Sequence, residues 1–122
     1  MTFKILSIDD SKAVHAFLKE CLKDTGHQLT TASSGEDGLN VLGENPTQFD
    51  LIFLDWEMPG MNGPEVLEKI KSMGVKSPVI MLTSKNDMTD IASMLNKGAA
   101  EYVLKPFTRD IIIEKIALVM GV

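Results

Sequence analysis

The chain has 122 residues, a formal net charge of -5 and a single cysteine, Cys21. That length suits one domain spanning residues 1–122, with room for a core that needs neither disulfides nor a structural metal. A lone cysteine excludes an internal disulfide and fits a reducing cytoplasm. The lack of any basic run argues against direct nucleic-acid binding, and no stretch nears the ~20 apolar residues of a membrane span or carries a signal-peptide pattern, so no membrane insertion is expected.

Short apolar runs alternate with segments of helical length and period. Residues 3–8 form the first run, which ends in Asp9-Asp10. The helical segment after it carries Val14, Phe17, Leu18, Cys21 and Leu22 on one face, with Gly26 where its C-terminus is expected. Residues 28–32 make a weaker, more polar run, which belongs at a sheet edge. Residues 51–54, "LIFL", run into Asp55. "MPGM" at 58–61 then fits a type II turn with Pro59 and Gly60 at its centre. Asn62 and Glu65 read as a capping box for a third helix, which carries Val66, Leu67, Ile70 and Met73. Residues 79–82 lead into Thr83-Ser84, and Gly98 closes the next helix. Residues 102–104 lead into Lys105-Pro106, and the last helix carries Ile112, Ile113, Ile116, Ala117 and Met120.

Five βα units in this length imply an α/β, doubly wound fold: a five-stranded parallel sheet with helices on both faces. In such a sheet the C-terminal strand ends share one rim, where ligands bind. Asp9, Asp10, Asp55, Thr83 and Lys105 all follow apolar runs and so converge there. Singly, an aspartate or threonine at a strand end is often only a helix cap. Together, three carboxylates at close quarters would repel one another and hold a proton without a counter-charge. A Mg²⁺ ion with Lys105 supplies that counter-charge, and Mn²⁺ is an acceptable substitute. A hard cation, a carboxylate, a hydroxyl and a lysine are the apparatus of phosphoryl transfer. Asp55, at the end of a central strand and facing the paired acids, is the expected nucleophile.

"DDS" at 9–11, "LDWEMPGMNG" at 54–63, "LTS" at 82–84 and "YVLKPF" at 102–107 resemble the receiver domain of bacterial response regulators, in order and over the whole chain. Its small CheY-like, single-domain members are the nearest in kind. The resemblance implies a flavodoxin-like strand order of 2-1-3-4-5, with Asp55 as phosphoacceptor. It implies Asp9, Asp10, Asp55 and the backbone carbonyl of Glu57 as Mg²⁺ ligands, Thr83 and Lys105 as the phosphoryl-binding pair, and Thr83 with Tyr102 as the switch. A cis peptide between Lys105 and Pro106 is also implied. Glu57 and Lys85 flank the approach of hydrolytic water in this pattern. Their opposite charges are expected to pair across the entrance and tune the lifetime of the phosphorylated form. Trp56 should pack beside the site, and most of the eight methionines should lie in the core. His15 is expected to be solvated or helix-packed, with no acidic or metal partner, and His27 has no assigned role.

These readings favour a stand-alone phospho-switch over an enzyme. A histidine kinase or phosphotransfer protein donates to Asp55, and a target protein binds the face of the fourth helix, fifth strand and fifth helix. With only Gly121 and Val122 after the last helix, the expectation is a monomeric, diffusible adaptor such as a chemotaxis regulator. A receiver fragment of a longer regulator, a phosphorelay intermediate and a phosphate sink are the alternatives. A flavodoxin-like electron carrier would need a Ser/Thr/Gly-rich phosphate loop where "DDSKA" stands. A haloacid-dehalogenase-type phosphatase would carry its nucleophile after the first strand in an Asp-x-Asp pattern, which is missing. A phosphorylation-independent pseudo-receiver is opposed by the intact acids and Lys105.

Overall fold

The three central strands are apolar on both faces because helices cover both. In the computed structural model, which describes residues 1–122, these are β1 (Lys4–Ile8), β3 (Leu51–Asp55) and β4 (Val79–Thr83), with β2 (Gln28–Ala32) and β5 (Glu101–Leu104) at the edges. All pairings are parallel, and the order is β2-β1-β3-β4-β5. The polar run 28–32 takes an edge, as its composition requires.

Strand alternation divides the core into two layers. Leu6, Ile8, Ile52, Leu54, Val79 and Met81 pack with residues of α2 (Gly35–Glu44), α3 (Gly63–Ser72) and α4 (Met88–Asn96). Ile5, Leu51, Phe53, Ile80, Leu82 and Val103 pack with residues of α1 (Lys12–Cys21) and α5 (Arg109–Met120). Every helix starts at the C-terminal rim of the sheet, on an N-cap whose side chain accepts a backbone N–H: Ser11, Ser34, Asn62, Asp87 and Thr108. The capping box of Asn62 and Glu65 is complete, and Gly60 stands at φ 76°, the left-handed value that the expected turn at 58–61 calls for.

Some local expectations shift. Phe17 and Met73 are 43% and 40% exposed, so the buried stripes of α1 and α3 are narrower than their apolar faces. Phe17 instead meets Phe107 at 5.4 Å, and Arg109 Nε donates to the Cys21 carbonyl at 3.1 Å. The chain after Lys105 therefore passes alongside α1, where a cation suits the helix C-terminus. α1 ends at Cys21, five residues before Gly26, and the turn that follows puts Asp24 in the left-handed region at φ 66°. No helix is long and apolar enough to cross a membrane.

Candidate functional site

Parallel registration turns distant sequence into adjacent side chains. Ile8 lies opposite Leu54, Asp55 opposite Leu82, and Thr83 opposite Leu104. The residues that end or follow these strands therefore meet in one row. They form a pocket of about 260 Å³ lined by Asp9, Asp10, Ser11, Val14, Asp55, Glu57, Thr83, Ser84 and Lys105. Every rim residue singled out in the sequence lies here. Tyr102 does not; it is half-buried on β5, opposite Met81 and packed against the core layer of α2–α4.

Lys105 reaches across the sheet to bind two acids, donating to Asp55 Oδ1 at 2.9 Å and to Asp9 Oδ2 at 3.2 Å. Its backbone N–H donates to the Thr83 carbonyl at 2.8 Å, and its peptide bond to Pro106 is cis, as expected. Asp9 is fully buried, and its other oxygen accepts the Ser11 N–H at 2.9 Å. Both Asp9 oxygens are thus committed. Asp10 is exposed, and Asp55 keeps Oδ2 free of any protein donor. Thr83 is buried, and its hydroxyl oxygen accepts the Lys85 N–H at 2.9 Å, which leaves the hydroxyl proton to give.

The electrostatics are strained. Burial above all, reinforced by the Asp9 charge, pushes the Asp55 carboxyl up to about 6, even though the Lys105 ammonium pulls it down. Burial would lower Lys105, but its contacts with Asp55 and Asp9 outweigh that and hold its ammonium above the ordinary lysine value. One cation thus serves three clustered carboxylates. Each of Asp9, Asp10 and Asp55 offers an oxygen, and all three oxygens lie within 4.8 Å of one another. These donors fit Mg²⁺: hard oxygens, more negative charge than Lys105 balances, and an open side at Asp10 for water. Asp10 and Asp55 have free oxygens that could hold such an ion directly, and Asp9, whose two oxygens are engaged, could act through water.

Around this centre, Lys85 Nζ stands 3.7 Å from Glu57 Oε1 and 5.5 Å from the centre of the Trp56 ring. Two features escaped the sequence. A Cβ on Gly63 would come within 2.5 Å of the Asp55 carbonyl oxygen and 2.8 Å of Trp56 Cα, so α3 starts hard against the end of β3. Gly63 N–H also donates to the Trp56 carbonyl at 2.7 Å. His15 makes no bond or ion pair to an acid, as expected, although it lies in the field of Asp9 and Asp10. Burial lowers it more than those two charges raise it, and its Nε2 is enclosed without a partner. Only the packing of α1 over β1 brings that about.

The chain is similar to proteins of two kinds. The transcriptional regulatory protein AfsQ1 of Streptomyces coelicolor is 39% identical over 116 residues, covering 95% of this chain and 50% of that protein. The chain spans about half the length of the transcriptional regulators it matches. Chemotaxis protein CheY1 of Helicobacter pylori is 30% identical over 121 residues, 97% of each chain. Among solved structures, a response regulator receiver domain protein from Clostridium thermocellum superposes with a TM-score of 0.88 at 32% identity, covering 97% of this chain and 94% of that one. The Vibrio cholerae chemotaxis protein CheY4 superposes equally well, at 0.88 and 26% identity, over 98% and 99% of the two chains. Residues 5–117 match the response regulator receiver domain family, so the chain belongs to that family, the phosphoacceptor signalling domains of two-component systems.

Proposed function

We propose that Asp55 accepts a phosphoryl group from the phosphohistidine of a histidine kinase or phosphotransfer protein, and that the chain then signals by altered binding to a target protein. The observation that carries this reading is the Lys105 ammonium bridging Asp55 and Asp9 beside three converging carboxylate oxygens. An oxygen of the Asp55 carboxylate forms the bond to phosphorus as the bond to the donor nitrogen breaks, giving an acyl phosphate. At neutral pH Asp55, at about 6, is mostly ionised and competent to attack. Mg²⁺ held by Asp10, Asp55, the Glu57 carbonyl and, through water, Asp9 would neutralise charge on the transferring group. Lys105 supplies the protein's own positive charge at the same place. The Thr83 hydroxyl donates its free proton to a phosphoryl oxygen, and that movement, coupled to Tyr102 on the neighbouring strand, is the proposed switch.

The likeness to CheY1 supports an adaptor of the chemotaxis type. The half-length match to AfsQ1 supports a second reading, the receiver portion of a longer regulator. Incubation with acetyl phosphate and Mg²⁺ should add one phosphoryl group by intact mass, and Asp55→Asn or chelation should abolish it. Labelling that survives either change would overturn the assignment. Capture of partners by the phosphorylated chain, with Asp55→Asn as control, separates the adaptor from the phosphorelay and phosphate-sink alternatives.

A further inference from the structure

Beside the acidic pocket lies a shallow, open hollow of about 470 Å³, lined by Trp56, Glu57, Met58, Pro59, Asn62 and Lys85. Glu57 borders both cavities. In this hollow the Trp56 ring and the Glu57 carboxylate converge on one ammonium, that of Lys85, at 5.5 Å from the ring centre and 3.7 Å from Oε1. An aromatic face next to a carboxylate is the make-up of a cation receptor. We propose that Trp56 and Glu57 form a receptor for the guanidinium of an arginine on a partner protein, and that the chain's own Lys85 occupies it in the free protein. The inference does not depend on the phosphoryl chemistry proposed above.

Three observations favour arginine. First, Lys85 is a loose occupant: 3.7 Å is too long for a hydrogen bond, and the Glu57 side chain is 66% exposed, open to a second cation. Second, the compact ammonium lacks the flat face and the parallel donor pair of a guanidinium. A planar guanidinium can stack on the indole while its edge donates two parallel bonds to the carboxylate. Third, Lys85 can yield without disturbing the loop, because its backbone N–H is separately anchored on Thr83 Oγ1 at 2.9 Å. The rest of the hollow is fixed: Met58 is buried, and the Asn62 side chain is committed to capping α3.

The test is a titration with N-acetyl-arginine amide in metal-free buffer at constant ionic strength. It is followed by the fluorescence of Trp56, the sole tryptophan, and by amide chemical shifts, which also verify that each variant is folded. Saturable binding is expected, tighter for the arginine probe than for N-acetyl-lysine amide. Removing the internal competitor with Lys85→Ala should tighten it about three- to tenfold, the range that an exposed ion pair and cation–π contact can impose. Glu57→Gln should weaken it at least about threefold. Equal affinity for the two probes, no gain in Lys85→Ala, or undiminished binding in Glu57→Gln would each overturn the proposal. Tighter binding of free arginine than of the blocked probe would assign a small-molecule site instead, and overturn the partner reading.

Discussion

Asp55→Asn should stabilise the metal-free protein, by an amount that depends on pH. In the folded chain burial, aided by Asp9, raises Asp55 from the ordinary 3.8 to about 6. The folded state therefore holds the Asp55 proton more tightly than the unfolded state does. Well below pH 3.8 both states are protonated and Asp55 costs nothing. As the pH climbs through the interval between those two values the unfolded chain ionises first, and native stability falls. Above about pH 6 both states are ionised and the penalty levels off. At 1.36 kcal/mol per pH unit, the gap from 3.8 to about 6 amounts to roughly 3 kcal/mol. Asparagine mimics the protonated form and keeps an oxygen for the 2.9 Å bond from Lys105.

Urea unfolding with EDTA, followed by circular dichroism from pH 4 to pH 8, measures the difference. The variant should gain up to ~3 kcal/mol above pH 7, or roughly 10 °C in Tm for a chain of this size, and converge on the parent near pH 4. Adding Mg²⁺ should narrow the gap, because an ion that binds the parent's folded state stabilises it by ~2.7 kcal/mol at one hundred times its Kd. A variant that is less stable than the parent at neutral pH, or a difference that ignores pH, would refute the reasoning.

Two further predictions concern the rim. The Glu57–Lys85 pair stands at 3.7 Å beside the acidic pocket, which Glu57 lines, and as an exposed pair it is worth only ~0.2–1 kcal/mol. If it obstructs hydrolytic water, Lys85→Ala should speed loss of phosphate from the labelled protein by a few-fold, less than about tenfold. If Glu57 orients that water instead, Glu57→Ala should slow the loss and Lys85→Ala should not, whereas decay within twofold of the parent in both variants would dismiss the gate. Gly63→Ala should cost ~1–3 kcal/mol in urea unfolding, because its Cβ meets backbone at 2.5 Å and 2.8 Å that cannot yield without moving Asp55. An alanine variant of parental stability would mean that this close approach is slack.

Much of the site could be read in the sequence because a parallel sheet converts chain distance into lateral distance. Lys105 is 96 residues from Asp9 and 50 from Asp55, yet each is the first polar residue at or after an apolar run. Once the runs are recognised as strands pointing one way, their ends must meet. The apolar period also picked out the buried faces of α1, α3 and α5, but it overstated the buried stripes of α1 and α3. Phe17 and Met73 satisfy the helical period and remain partly exposed, because spacing fixes the direction a residue faces and says nothing of how far the neighbouring element extends. What escaped entirely depends on contact across elements. His15 enters the field of Asp9 and Asp10 only through the packing of α1 on β1, and Gly63 is required by backbone approach, which has no signature in composition. The Lys85–Trp56 contact joins two loops whose side chains are only partly buried, where burial alone does not dictate a partner. The acidic centre lies at the opposite extreme. An aspartate held near 6 with one ammonium among three clustered carboxylates is a poor choice for stability alone, so its presence at the end of a fully buried strand is itself evidence of use.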